Sequence, residues 1–305
     1  MKKSRKATCE PGGLSDYLEV RRRQVEKALA RSLPPASIRP STIHRAMRYS
    51  LLGGGKRLRP ILMLAAAEAC GVDDLGNVLP AACVVELIHT YSLIHDDLPC
   101  MDDDDLRRGR PTSHKVFGDG VAVLAGDALL TRAFGLLAMV KPSKRYPLSV
   151  MIEETATAAG SLQLIAGQVA DLEAEGKKLS IADVRFIHER KTAAMIVLPL
   201  RLGGMIANAT PRQLKALTEF GQALGLAFQI IDDILDVTQS SEQLGKSAGK
   251  DLSAAKATYP AVIGLEASRK EAVRLTKKAH SALILLGARG ARLGEMGTYL
   301  LKREF

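Results

Sequence analysis

Between Asp96 and Asp105 the chain places six aspartates and no cation, directly after an apolar run. Two carboxylates about 4 Å apart repel by roughly 4 kcal/mol even at an effective dielectric of about 20, so such a row needs a counter-charge. A divalent cation supplies it. Oxygen ligands without a Cys/His pattern favour magnesium or calcium over zinc, and magnesium characteristically combines one or two carboxylates with substrate phosphates. The charge reverses at Arg107, Arg108 and Arg110, where guanidinium groups can grip phosphate through paired hydrogen bonds. The competing reading of this stretch alone is a solvated acidic loop.

A second row decides between them. Phe228–Asp236 carries Asp232, Asp233 and Asp236 inside a strongly apolar, helix-patterned segment. Asp232 and Asp236 are four apart and share one helix face, with Gln229 beside them. Acids embedded in apolar helices seldom lack partners, so the two rows are expected to hold metal around one anion.

Helical periodicity extends through most of the chain. A helix is expected from Leu14 to Leu33, ended by Pro34–Pro35. Ser41 or Thr42 is the expected cap of the next helix, which runs through Ile43, Met47 and Leu51 to Gly53–Gly54–Gly55. Pro60 suits the first turn of a third. Residues 61–70, 80–97, 121–140, 148–171, 181–207, 211–237 and 259–285 share the same patterning, and no alternating strand pattern stands out. The class is therefore all-α, one bundle of about ten or more helices. Residues 1–13 read as a basic, flexible tail and 14–305 as a single domain. Pro99 is expected to break the helix between Asp96 and Asp102, which would not share a face on a regular one.

The cations fall around these rows. Lys56 and Arg59 follow the triple glycine, where free backbone amides and a helix start favour phosphate; a solvated turn has the same composition. His89 lies two turns before Asp96, about 10 Å away on nearly the same face. It reads either as a phosphate donor or as a core histidine. Lys191 with Thr192, Lys246 and Lys256 read singly as solvated side chains, and around two acidic rows as ligands for a diphosphate.

The 305 residues are 47% apolar, enough for a large core, and the net charge of +10 points to anionic partners. Aromatics at 4%, no Trp and no nucleic-acid-binding signature argue against a nucleic-acid partner. Cys9, Cys70, Cys83 and Cys100 show no paired spacing, as expected of free thiols in a reducing cytoplasm. The window Val121–Val140 contains Asp127 and Arg132, so it is expected to be a core helix and no stable membrane insertion is expected.

With both rows in place, the chain resembles the trans-isoprenyl diphosphate synthases, most of all the bacterial farnesyl diphosphate synthases. The motifs are Gly-Gly-Lys-Arg-Leu-Arg-Pro at 54–60, Asp-Asp-x-x-x-x-Asp at 96–102 with Arg107-Arg108-Gly109, Lys191-Thr192, Gln229 with Asp-Asp-x-x-Asp at 232–236, and Lys246 and Lys256. The resemblance covers nearly everything after the first dozen residues. It implies an all-α fold around a deep central cavity, a homodimer and three magnesium ions. By position, Asp96, Asp102 and Asp232 ligate metal, with Asp97, Asp233 and Asp236 in or near that shell. Arg107, Lys191, Lys246 and Lys256 hold the allylic diphosphate; Lys56, Arg59, His89 and Arg108 hold isopentenyl diphosphate; Thr192 and Gln229 sit near the reacting carbons. The reaction implied is condensation of isopentenyl diphosphate with dimethylallyl and geranyl diphosphates.

Product length turns on the helix entering the first row. Ser92 lies one turn, about 6 Å, below Asp96, and Tyr91 is the bulky aromatic near that level. The resemblance makes a large side chain there the tunnel floor, giving farnesyl diphosphate, with the twenty-carbon product as the alternative. Other classes fit less well. A metal phosphohydrolase would need histidines such as His44 and His114 to join His95, a terpene cyclase would not need the clamp at Lys56 and Arg59, and an inactive subunit would lack motif residues, none of which is missing.

Overall fold

A computed structural model describes residues 12–238 and 258–301. Lys246 and Lys256, and the tail up to residue 11, lie outside the described residues. The first helices are α1 (Leu14–Ser32), α2 (Ser41–Leu51), α3 (Leu58–Ala69) and α4 (Val78–Asp96). The middle of the chain forms α5 (Ser113–Phe117), α6 (Asp119–Leu137), α7 (Leu148–Ala159), α8 (Leu164–Ala174) and α9 (Ile181–Ile187). A wide π-turn at His188–Ala193 leads into α10 (Ala194–Ile206) and then α11 (Pro211–Thr238). The chain closes with α12 (Tyr259–Ile263), α13 (Leu265–Ala282), a 3₁₀ stretch at Leu283–Gly290 and α14 (Ala291–Leu301). Among the described residues the β-structure is one two-residue pair, Leu106–Arg107 against Arg110–Pro111. The all-α expectation is met.

Helices α3 and α10 are apolar on all sides, the signature of elements buried all round. They form the partition of the core. Met63 and Leu64 of α3 with Leu198 and Leu202 of α10 join one apolar cluster with α1, α2, α4 and α6. Ile61 and Leu62 with Ile196 and Leu200 join a second cluster with α11, α13 and α14. The two partition helices approach closely because position 203 is glycine: a Cβ there would lie 2.3 Å from the Met63 carbonyl oxygen.

Four expectations need correction. Ser41 does not cap α2; Pro40 occupies the cap position with extended backbone, no side-chain cap bond forms, and Ser41 is already helical. The run 148–171 is broken at Gly160, whose extended backbone would bring a Cβ to 2.5 Å from the Ala156 carbonyl oxygen. The run 259–285 is broken at Gly264, which takes φ 82°. Finally, α6 is a core helix on one face only. Ala122, Ala125, Leu129 and Ala133 are buried, but Val123, Leu124, Asp127 and Thr131 are exposed. By length and composition both the Leu75–Asp96 stretch and α6 could cross a bilayer, but the most apolar part of the first is 67% buried in the fold and that of the second 39%.

Candidate active site

The first acidic row folds back at Pro99, as expected. Helix α4 ends at Asp96, and the amide of Asp102 then donates to the Asp96 carbonyl (2.9 Å) while the amide of Asp104 donates to that of Asp97 (3.2 Å). Asp96 and Asp102 thus become neighbours. Burial pushes the Asp96 carboxyl up to about 6; the Lys191 charge opposes this, and Asp102 adds to it. Asp97 faces the other way. It is buried and accepts from Arg107 Nε at 2.9 Å and from Nη2, and Arg107 also meets Asp104 at 3.2 Å. Burial raises the Asp97 carboxyl against the pull of that guanidinium. Its carboxylate orients Arg107, where the resemblance implied a place in or near the metal shell.

The Arg-Arg-Gly-Arg sequence is the turn of the two-residue β-pair. Arg108 and Gly109 have φ 55° and 73°, the positive values that a tight hairpin of this twist needs. Arg107 is thereby directed toward the acidic row, and Arg108 Nη1 donates to the Gly54 carbonyl on the opposite loop.

The second row lies near the C-terminal end of α11. Thr192 Oγ1 donates to Gln229 Oε1 (2.9 Å), and Gln229 Nε2 donates to Asp233 Oδ1 (3.3 Å). Asp233 Oδ2 accepts from the Tyr259 amide (2.9 Å) and lies 3.6 Å from His188 Nε2, whose ring stacks on Tyr259. Asp233 is therefore committed to the scaffold. Asp236 is buried, and among the described residues its Oδ2 has no hydrogen-bond partner. An orphaned buried carboxylate oxygen fits the role of a cation ligand. Asp232 is half-buried on the same helix.

The π-turn joins the two rows. Lys191 acts on the charge of Asp96, while its neighbour Thr192 bonds Gln229. Lys191 Nζ sits 2.7 Å from Asp171 Oδ2, a partner that sequence reading missed. Its one local signal is Gly167, a turn earlier on α8, where a Cβ would lie 2.3 Å from the Lys191 amide nitrogen. Among the described residues no three His, Cys, Asp or Glu side chains converge as a metal group. His44, His95 and His114, the candidates for a phosphohydrolase centre, form no such group.

A basic corner lies on the α3 side. Arg57 has φ 51° and is 2% exposed. Its Nε meets Glu26 (2.7 Å), its Nη1 meets Glu86 (2.7 Å) and its Nη2 meets the Leu51 carbonyl (2.6 Å), tying α1, α2 and α4 to the loop. Arg59 Nη1 donates to His89 Nε2 at 3.2 Å, so that nitrogen carries no proton; burial, reinforced by the charges of Arg59 and Arg108, keeps the ring neutral. Arg59 Nε is buried without a hydrogen-bond partner among the described residues. Arg59, His89 and Arg108 are thus brought together, and Lys56 is exposed at the corner's rim with its Nζ 6.0 Å from the Tyr299 ring.

Tyr91 is buried on α4, its hydroxyl 3.4 Å from the Ala159 carbonyl and its ring edge-on to His95. Ser92 is half-buried and donates to the His89 carbonyl of its own helix (3.0 Å). A cavity of about 410 Å³ lies elsewhere, between α7, α10, α11 and α13. Two of its arginines are already paired, Arg201 with Glu154 and Arg185 with Glu189, and neither acidic row lines it.

A helical bundle that joins two aspartate rows through one lysine-bearing turn, beside a basic corner, has the form of an isoprenoid synthase. The profile described as Polyprenyl synthetase matches residues 40–282. The large subunit 1 of the heterodimeric chloroplastic geranylgeranyl pyrophosphate synthase of Arabidopsis thaliana is 50% identical over 274 residues, 88% of this chain and 73% of that protein. The farnesyl diphosphate synthase of Geobacillus stearothermophilus is 48% identical over 261 residues, 85% of this chain and 87% of that one. The crystal structure of a Helicobacter pylori geranyltransferase complexed with magnesium and isoprenyl diphosphate superposes with a TM-score of 0.82 at 32% identity, covering 96% of this chain and 98% of the other. This chain belongs to the polyprenyl synthetase family of prenyltransferases.

Proposed function

We propose that the protein condenses isopentenyl diphosphate head-to-tail with dimethylallyl and then geranyl diphosphate, using magnesium, to give farnesyl diphosphate. The observation that carries this reading is the joining of both aspartate rows through Lys191 and Thr192, with Asp236 Oδ2 left unpartnered. Asp96, Asp102, Asp232 and Asp236 would hold the cations, three per site by family resemblance. Magnesium supplies the positive charge that helps the diphosphate leave the allylic carbon. Lys191 exchanges Asp171 for the diphosphate oxygens, and Arg107, steadied by Asp97 and Asp104, adds a second cation there. Lys56, Arg59, His89 and Arg108 hold isopentenyl diphosphate so that its double bond attacks the allylic cation. The proton lost from the new chain passes to the released diphosphate. Exclusion of water protects the cation from being quenched to an alcohol.

Tyr91, buried one turn below the metal row, favours the fifteen-carbon product. The twenty-carbon reading is supported by the relatives, which include both farnesyl and geranylgeranyl diphosphate synthases. The exposed apolar faces of α6 and α7 support a homodimer, and the free thiols Cys70, Cys83 and Cys100 support a reducing compartment such as the cytoplasm.

The test is to incubate the protein with magnesium, isopentenyl diphosphate and either allylic starter, then size the dephosphorylated products by chromatography. Asp96→Ala and Asp232→Ala should each abolish condensation with unchanged helical content, and Tyr91→Ala should yield longer chains. Near-normal turnover in both aspartate variants would end the metal assignment. Unchanged product length in Tyr91→Ala would end the floor assignment.

A further inference from the structure

Gly126 of α6 faces His95 of α4. A Cβ built there would lie 2.1 Å from His95 Nε2, 2.5 Å from Cδ2 and 2.9 Å from Cε1. The imidazole occupies the space that the glycine leaves open. Inside this notch Nε2 lies 3.0 Å from the Val123 carbonyl oxygen. A carbonyl can only accept, so Nε2 carries the proton and the ring is fixed in orientation as well as place. The other charged neighbour, Asp127 Oδ1, is 3.9 Å away, beyond hydrogen-bond reach.

His95 in turn meets Tyr91, one helical turn earlier, edge-to-face with ring centroids 5.7 Å apart and planes at 78°. The far end of Tyr91 reaches the Ala159 carbonyl at 3.4 Å, a long contact that cannot by itself fix the ring. A continuous line of packing therefore runs from Gly126 through His95 to Tyr91.

We propose that Gly126 and His95 set product length: Gly126 seats the imidazole, and the seated imidazole holds Tyr91 in place as the tunnel floor. His95 is a positioning residue that touches no substrate. This rests on the reading of Tyr91 as the floor. An added methyl at position 126 expels the imidazole from its notch and breaks its bond to Val123. Tyr91, still packed in the apolar core, loses the ring that backs it and shifts toward the space the imidazole filled, and the tunnel deepens.

The experiment measures the ratio of longer to shorter products made from geranyl and isopentenyl diphosphates by the full chain with magnesium. Gly126→Ala and His95→Ala should each raise that ratio at least several-fold over the parent, whatever happens to overall turnover. His95→Asn, whose shorter amide can still donate to Val123 but lacks the ring edge, should raise it as well. A purely structural role would lower all products in proportion and leave the ratio at the parent's value, and that result in the folded variants overturns the proposal. Should Gly126→Ala fail to fold, His95→Ala and His95→Asn decide it in the same way. If Tyr91→Ala lengthens the product while the other variants do not, the coupling fails and the floor stands; if Tyr91→Ala also changes nothing, the floor reading itself is wrong.

Discussion

Near pH 6 Asp96 is a mixture of acid and carboxylate, because burial raises it to about 6 and the neighbouring aspartate adds to the effect. The sign is opposite to that of a salt-bridged acid. In the metal-free protein, ionising this group costs stability as pH rises from the ordinary carboxylate range through about 6, and protonation relieves that cost. A cation must therefore displace a proton at pH 6 and almost none at pH 8. Calorimetry of magnesium binding with a diphosphate present, run in two buffers of different ionisation enthalpy, should show a larger buffer-dependent heat at pH 6 in the parent than in Asp96→Asn, and that difference should fade at pH 8. The same buffer dependence in parent and Asp96→Asn at pH 6 would mean that Asp96 is already ionised. At this scale the sequence showed which residue types assemble but not which way each points. Asp96 and Asp97 are adjacent and identical, yet one ends a helix toward the lysine-bearing turn while the other turns back to Arg107. Lys56, Arg57 and Arg59 read as three like charges, and burial alone distinguishes the one wired into α1, α2 and α4. Asp171 escaped notice because its partner is distant in sequence and the one local mark, Gly167 a turn earlier, has meaning only once the Lys191 backbone is seen against it.

Among the elements, the π-turn at His188–Ala193 bears the chemistry most directly. Its extra residue per turn lets Lys191 reach toward Asp96 while Thr192 bonds Gln229. Helix α8 supports it from behind, through Gly167 against the Lys191 backbone. Gly167→Ala should lift this turn. Because a misplacement of about 1 Å can cost on the order of a hundredfold in rate, turnover should fall by about that order. Circular dichroism and the KM for isopentenyl diphosphate should remain near the parent's values, because the basic corner lies on α3 and α4. Unchanged turnover would show that the turn is held from elsewhere. Helical periodicity made the bundle legible but carried straight through its interruptions. Apolar spacing is the same on both sides of Gly160 and Gly264, and a π-turn shifts the register by one residue without altering composition. The break at Pro99 was legible because proline forbids continuation and the two acids otherwise lay on different faces.

For the whole molecule, the exposed side of α6 with Val123 and Leu124 continues to Val150 and Ile152 of α7, an apolar surface of the kind that usually seats a partner. The proposed homodimer predicts that the parent sediments as a dimer at micromolar concentration and Leu124→Glu as a monomer; a parent that sediments as a monomer would refute the assembly. Because Val123 also accepts from His95, this surface lies directly behind the catalytic helix. The opposite corner of the fold carries a different obligation. Arg57, Arg59 and Arg108 all feel the charge of Glu86, His89 is forced to remain neutral among them, and Arg59 keeps an N–H with no acceptor. Replacing Arg59 or Arg108, whose charges burial and neighbouring arginines disfavour, with a neutral residue would ease that repulsion, the kind of change by which proteins commonly gain thermal resistance. Under the proposed function the same replacement would weaken the hold on isopentenyl diphosphate, so heat tolerance would have to be gained at sites away from this corner.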